Sequence, residues 1–232
     1  MPLGAARLAY LAKTQAAGVQ RDAVPLTVFG NTQIDTAESQ FGGASALFDG
    51  SGDYLQSASL SEMAFGLEDF TFEAFINTDS TNSQIIISGR FGTGGSAAEN
   101  NNVLAIVGGK LSWSNGSAWA IQDSVDISTN TWIHVACTRT NEVMEVFKDG
   151  VSIGTFNYSV IINNARPITI GAFNTGAVTF DGHIDEVRIS SISRYSGNFT
   201  PPSSAFQNDA DTIALYHMNG SDGSTDFPDD NG

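Results

Sequence analysis

Short apolar runs, each followed closely by Gly, Asn, Asp or Ser, set the strongest limit on what this chain can fold into. About ten such runs follow one another along the 232 residues, for example FTFEAFIN at 70–77, NVLAIVGG at 102–109 and DTIALYHM at 211–218. Runs of this length between turn residues predict a β-sandwich or a barrel. Within 70–77, Phe70, Phe72 and Ile76 alternate with other residues, as the side chains on one face of a strand do. Beyond residue 20 no long segment has helical periodicity.

The same pattern predicts one β domain with distinct ends. Residues 1–24 form an Ala-rich N-terminal arm, and residues 25–232 form the sandwich. Within it, residues 212–232 provide a closing strand and an acidic tail, and we expect that strand to complete a sheet of its own chain. Asp149-Gly150 is the dipeptide favoured in a type I′ hairpin turn. The single cysteine, Cys137, excludes an internal disulfide, and we expect a buried thiol.

Charge and hydropathy exclude several kinds of partner. The 25 acidic and 10 basic residues give a net charge of −15, which repels nucleic acid and anionic membranes. No stretch is apolar enough to cross a bilayer. The first 20 residues lack an uninterrupted apolar core after a basic start, because Arg7 and Lys13 interrupt it, so no signal peptide is predicted. We therefore expect the protein to stay in the cytoplasm of the cell that makes it.

Four segments together resemble a known family. They are FGGASALFDGSGDYL (41–55), DFTFEAFIN (69–77), TWIHVACTRTNEVMEVFKDGVSIGT (131–155) and ITIGAFNTGAVTFDGHIDEVRIS (168–190). Their wording and order resemble the laminin-G-like, concanavalin-A-like jelly rolls, in the variety found in bacteriophage virion proteins. The resemblance implies an all-β, antiparallel two-sheet jelly-roll sandwich with six or seven strands in each sheet. It implies function only loosely, as glycan or protein binding, adhesion or virion decoration.

The ends of the chain depart from that family pattern. In the phage versions, a segment like 215–232 precedes one like 19–43, whereas here these segments lie at opposite ends. The chain therefore resembles a circularly permuted member, or one copy cut from a tandem array. Sandwich termini often lie close together, which makes either arrangement feasible.

Sequence motifs give little support for catalysis. Retaining glycosidases that resemble this family carry an E-x-D-x-x-E run on one strand, but the matching run here has only Glu73. A glycosidase needs two carboxyl groups at one bond. The three histidines, His134, His183 and His217, are far apart in sequence, and no nucleophile or phosphate-loop motif occurs. We expect a protein that is not an enzyme.

Asp185 is the acidic residue of greatest interest. Strict alternation in HIDEVRIS places it on the face of Val187 and Ile189, and a buried carboxylate must be paired or must bind a cation. The resemblance implies Ca²⁺ near this strand, and calcium takes carboxylate and carbonyl oxygens. The expected partners of Asp185 in such a site are the Asp49-Gly50 turn and Asp229. The alternative is that Asp185 caps backbone N–H groups or pairs with an arginine.

Aromatic residues supply the candidate ligand contacts. Trp113 and Trp119 frame WSNGSAW, which predicts a hairpin whose rings could stack on sugars. The alternative is ordinary packing against a neighbouring strand.

The sequence and the resemblance together favour a bacteriophage virion structural protein displayed on the particle surface, on the capsid or the tail. Arg7, Lys13 and Arg21 would anchor the arm to an acidic shell or to other copies of the chain. The second interpretation is an adhesin that binds host surface glycans. A glycoside hydrolase and a fragment of a bacterial surface protein remain further alternatives.

Overall fold

Two antiparallel sheets pack face to face in the computed structural model, which describes residues 23–89, 102–173 and 175–230. The seven-stranded sheet has the order β1-β4-β13-β6-β7-β8-β9. Its strands are β1 (Thr27–Phe29), β4 (Tyr54–Gln56), β6 (Gln84–Ser88), β7 (Val103–Val107), β8 (Lys110–Ser114), β9 (Trp119–Gln122) and β13 (Thr169–Ile170). The fold class predicted from the sequence is confirmed.

The eight-stranded sheet has the order β12-β11-β10-β5-β14-β3-β2, with β15 also paired to β14. Its strands are β2 (Gln33–Asp35), β3 (Ser45–Asp49), β5 (Phe70–Thr78), β10 (Ile133–Thr140), β11 (Val143–Lys148), β12 (Val151–Asn157), β14 (Asp181–Ser190) and β15 (Thr212–Tyr216). A single 3₁₀ turn, Ser61–Met63, is the only helical element within the described residues. No helix in this part of the chain is long and apolar enough to cross a membrane.

The core lies between the sheets and follows the predicted alternation. Phe70, Phe72 and Ile76 of β5 are fully buried in one large cluster that draws on both sheets. Cys137 is fully buried there as well, and burial raises the pKa of its thiol to about 12. Apolar area removed from water contributes about 25 cal/mol per Å², so this layer supplies most of the driving force for folding.

The hairpin predicted at Asp149-Gly150 is present. Asp149 and Gly150 have φ angles of 48° and 74°, and they join β11 to β12. Two successive residues in the left-handed region are what a type I′ turn requires, so the dipeptide prediction is confirmed.

The long strand β14 pairs with two strands placed end to end. Its first residues pair with β3 and its last residues with β15, which continues the same sheet edge within the chain. The segment after β15 then runs beside β1 and β2. The Ile34 N–H donates to the Ser224 carbonyl at 2.8 Å, and the Leu26 N–H donates to the Phe227 carbonyl at 3.3 Å. The two ends of the described chain therefore lie together.

Acidic residues of this tail cap backbone groups. The Asp229 carboxylate accepts the N–H groups of Val24 and Leu215, each at 3.0 Å. Phe227 enters the main core and is 2% exposed. The tail is thus a structural closure of the sandwich.

Candidate functional site

The two tryptophans of the WSNGSAW hairpin have different environments. Trp113 is fully buried on β8 and packs edge-on against Tyr158, with ring centroids 5.0 Å apart. It offers no face to a ligand, which corrects the expectation for this residue. The reason is strand alternation, because Trp113 lies on the same face as the core residue Leu111. Trp119 opens the edge strand β9 and is 39% exposed.

Polar side chains lie beside Trp119 on the outer face of the seven-stranded sheet. Trp119 is the register partner of Ser114, and Gln122 is the partner of Ser112. Register partners project from the same side of a sheet. The Gln122 amide donates to Ser112 Oγ at 3.2 Å, which fixes its orientation. We call Trp119, Ser114 and Gln122 the Trp119 strip. An exposed indole beside hydroxyl and amide groups provides both the stacking and the hydrogen bonds that sugar binding needs.

Asp185 lies at a β-bulge, which changes the face that its side chain takes. Ile184 and Val187 both enter the core, and Glu186 between them has a φ of 53°. The register of β14 against β5 shifts here. A bulge adds a residue to one strand and interrupts its alternation. The expectation that Asp185 shares the face of Val187 and Ile189 is therefore wrong.

The surroundings of Asp185 combine backbone capping with one spare oxygen. Its Oδ2 accepts the N–H groups of Gln40 at 2.9 Å and Phe41 at 3.0 Å. Its Oδ1 is buried without a hydrogen-bond partner among the residues described. Burial raises the pKa of Asp185 to about 7, although the two N–H groups act against that shift. A buried, unsatisfied carboxylate oxygen fits a hard cation, which would supply the missing partner.

The other expected calcium ligands lie elsewhere. Asp49, next to Gly50, pairs with Asp181, four residues along β14 from Asp185. Asp229 has both oxygens engaged by backbone N–H groups. Within ranges 23–89, 102–173 and 175–230, no group of three or more His, Cys, Asp or Glu side chains has a metal-binding arrangement. Any cation at Asp185 would thus depend on backbone oxygens.

Glu73 forms a buried network that the sequence did not reveal. It is fully buried on the outer face of β5, and its Oε1 accepts from Arg188 Nε at 2.8 Å. Its Oε2 accepts the Tyr195 hydroxyl at 2.6 Å and lies 3.2 Å from His134 Nε2. Burial acts to raise the pKa of Glu73, but the His134 contact and the Arg188 charge outweigh burial and lower it. The carboxylate is therefore charged and fully engaged, and it cannot reach a substrate in this conformation.

The network fastens the segment that crosses the outer face of the eight-stranded sheet. We call residues 191–211 the crossing segment. Its Phe206 lies 4.3 Å from the Arg188 guanidinium and donates its N–H to Glu186 at 2.8 Å. Its Tyr195 and Phe199 rings stack with centroids 3.7 Å apart. Much of this sheet face is thus covered by the chain itself.

Each histidine that is isolated in sequence faces one carboxylate in the fold. His134 faces Glu73, and His183 lies 3.0 Å from Asp35. His217 lies 2.8 Å from Glu186, and this hydrogen bond raises the His217 pKa. These are separate pairs, and within the part of the chain that the structure describes none of them forms a triad with a serine or cysteine nucleophile. Arg7, Lys13 and Arg21, the expected assembly residues, lie outside the described residues.

The comparison with protein families agrees with this geometry. A family model described as the concanavalin A-like lectin/glucanases superfamily matches residues 49–196. The chain belongs to this superfamily. A comparison with curated proteins gives no match.

Solved structures with a similar fold come from several kinds of protein. One is a Bacteroides ovatus protein described as carbohydrate binding, with 19% identity and a TM-score of 0.50 over 88% of this chain and 53% of that one. Another is domain 4 of an extracellular arabinanase of Geobacillus stearothermophilus in complex with arabinotriose, with 19% identity and a TM-score of 0.53 over 76% and 84%. A third is the enzymatically active domain of tailspike protein 2 of bacteriophage CBA120, with 14% identity and a TM-score of 0.56 over 78% and 30%. The chain thus spans about half of the Bacteroides protein. At these identities the likeness shows the fold alone.

The residues around Glu73 could not be predicted from the sequence, because they come from distant parts of the chain. The network around Glu73 joins β5, β10, β14 and the crossing segment, which lie up to 122 residues apart. No local pattern links such positions. The one available signal was a charged residue, Glu73, in the middle of an otherwise apolar run, since a buried charge needs a partner.

Proposed function

We propose that this protein is a non-catalytic carbohydrate-binding domain that uses the Trp119 strip. The observation that carries the proposal is the 39% exposure of Trp119 beside outward-facing polar side chains. Tryptophan is enriched at binding interfaces because it combines a large apolar ring with a polar N–H group. The carbohydrate-binding proteins among the similar folds support the same class of ligand.

The surroundings of Glu73 support a binding role over hydrolysis. A retaining glycosidase places two carboxyl groups about 5 Å apart on either side of the bond that it cleaves. Glu73, the only carboxylate of β5, is buried and contacts Arg188, Tyr195 and His134. A hydrolase of the usual type would need a free carboxylate there.

Replacing Trp119 with alanine tests the binding proposal. We expect a loss of about tenfold or more in affinity for neutral oligosaccharides, because aromatic anchors dominate binding energy. A glycan array selects the sugar, and isothermal titration calorimetry measures the change. Val151→Ala is the matched control, since Val151 is 55% exposed on the edge of the other sheet. Equal affinity of the Trp119 variant and the parent protein would contradict this role for Trp119.

We also propose that Asp185 contributes to a Ca²⁺ site together with backbone carbonyl oxygens of residues 38–44. The buried Oδ1 without a partner supports this site. The proposed site does not include Asp49, Gly50 and Asp229, which lie elsewhere and have structural roles. Calcium would neutralise the buried charge and fix the 38–44 turn against β14.

Calcium should therefore raise the melting temperature in an Asp185-dependent way. Ligand at 100 times its Kd adds about 2.7 kcal/mol of stability, which corresponds to roughly 5–10 °C for a domain of this size. Differential scanning fluorimetry with EDTA and with millimolar CaCl₂ measures the shift. Asp185→Asn should abolish it, whereas Asp49→Asn should retain it. If the parent protein melts at the same temperature in EDTA and in CaCl₂, the proposed Ca²⁺ site is wrong.

The surface of a bacteriophage particle is the setting we propose for this domain, on the capsid or the tail. The family resemblance in the sequence and the shared fold of a phage tailspike support this setting. The contacts between the tail and the 24–36 segment also suit a permuted or tandem-derived domain. Quantitative mass spectrometry of purified particles tests the setting. Hundreds of copies per particle would indicate decoration, a few copies would indicate a tail adhesin, and absence from the particles would refute the proposal.

A further inference from the structure

A row of outward side chains crosses the eight-stranded sheet where β5, β14 and β3 pair, beside the cluster that contains Phe206 of the crossing segment. Asn77 of β5 is the register partner of His183 on β14, and His183 is the partner of Leu47 on β3. Trp132 precedes Ile133, whose partner is Ile76, so Trp132 lies next to Asn77 on the other side. Register partners face the same side of a sheet. Trp132, Asn77, His183 and Leu47 therefore form one row, which we call the Asn77 row.

Two polar atoms in this row are buried without partners. They are Asn77 Oδ1, an acceptor, and Trp132 Nε1, a donor, and neither has a hydrogen bond among the described residues. Asn77 is 8% exposed, while Trp132 is only partly buried. Native proteins pair most buried polar groups, because each unpaired one costs about 1–3 kcal/mol. An unpaired donor and acceptor on neighbouring strands indicate a missing partner that can both accept and donate.

The residues on the two sides of the Asn77 row limit the charge and the hydrogen-bonding groups that the missing partner can have. On one side, Phe75 and Phe41 form an edge-to-face aromatic wall, with ring centroids 5.3 Å apart. On the other side, Asp181 lies near Asp79 and Asp49, and burial together with these two charges raises the Asp181 pKa. Anionic ligands are therefore repelled, whereas a hydroxyl group can accept from the indole and donate to the amide.

We infer that the Asn77 row is a binding subsite for a neutral sugar, on the opposite sheet from the Trp119 strip. One sugar hydroxyl accepts the Trp132 N–H and donates to Asn77 Oδ1, and the ring lies against the partly exposed indole. The acidic border excludes sialylated and sulfated sugars. This inference rests on the proposed carbohydrate-binding function. It adds a second contact point for the sugar and specifies that the sugar is neutral.

Calorimetry with arabinotriose, maltotriose, cellotriose, lactose and sialyllactose tests the subsite in the full chain. We expect binding of at least one neutral sugar and a much weaker response to sialyllactose than to lactose. Trp132→Phe keeps an aromatic ring and removes the N–H, so it should weaken neutral-sugar binding about three- to tenfold, the value of one hydrogen bond. Asn77→Leu removes the acceptor and should have a similar effect. Val151→Ala is the control, because Val151 lies outside both the Asn77 row and the Trp119 strip, and the affinity of this variant should stay within about twofold of the parent protein.

The outcomes separate this inference from the proposed function. If the parent protein binds a neutral sugar and both variants of the row bind it equally well, an ordered water occupies the row and the inference is wrong, while the proposed function stands. If the parent protein binds none of these sugars and the array is also blank, the proposed function fails together with the subsite. Circular dichroism of each variant establishes that the fold is intact. If Trp132→Phe does not fold, Asn77→Leu tests the subsite.

Discussion

Replacing Glu73 with alanine lowers the free energy of unfolding by about 3–5 kcal/mol, the usual cost of removing one partner from a buried ion pair. The loss leaves the Arg188 guanidinium and the Tyr195 hydroxyl without their shared acceptor. Both groups hold the crossing segment to the sheet, so we expect this segment to loosen first. Urea unfolding followed by tryptophan fluorescence measures the change.

Glu62→Ala is the matched control for this variant. Glu62 is exposed, and among the described residues its side chain has one hydrogen-bond partner, the Ser61 hydroxyl, so its removal should change stability by less than about 0.5 kcal/mol. If Glu73→Ala and Glu62→Ala lower the free energy of unfolding by equally small amounts, Glu73 does not anchor the crossing segment.

Acid should act on the same network. The folded-state pKa of Glu73 lies below its ordinary value of 4.5. Its contribution to stability is therefore complete above about pH 4.5 and is lost as the pH falls through the folded-state pKa. Glu73→Gln should flatten the acid side of the stability profile, which guanidinium titrations between pH 2 and 7 would show.

Replacing Phe227 with alanine should cost about 3–5 kcal/mol, because a large buried ring leaves a cavity in the core. The effect is large for a residue so near the chain end, because Phe227 is 2% exposed and its carbonyl accepts the Leu26 N–H. Thermal unfolding of the full chain measures it. Phe227→Leu keeps most of the volume and should recover much of the loss. If Phe227→Ala melts at the temperature of the parent protein, the tail does not close the sandwich.

The fold was predictable because its signals are local. Alternation in β5 and the Asp149-Gly150 turn each concern residues close in sequence. The bulge in β14 escaped prediction, since the left-handed Glu186 is neither Gly nor Asn, the residues that usually mark this conformation. One extra residue was enough to move Asp185 to the other face.

The candidate site was predictable only in part, because exposure is decided by contacts between distant strands. Trp113 and Trp119 lie six positions apart in one hairpin, yet one is fully buried and the other is exposed. The bulge between β8 and β9 changes the register between them. The Asn77 row depends on pairing among β5, β10 and β14, and no single segment of sequence encodes it.

The buried thiol provides a built-in reporter of unfolding. Cys137 is the only cysteine of the chain, and its side chain lies fully buried on β10, between β5 and β11. The thiolate is the form of cysteine that attacks thiol reagents, and burial suppresses this form by raising the pKa of Cys137 to about 12. Modification of the native protein by a maleimide or a disulfide reagent therefore requires the central strands to separate. The rate of labelling then follows the opening of the eight-stranded sheet without an added probe, and a cysteine introduced at the surface can be labelled selectively.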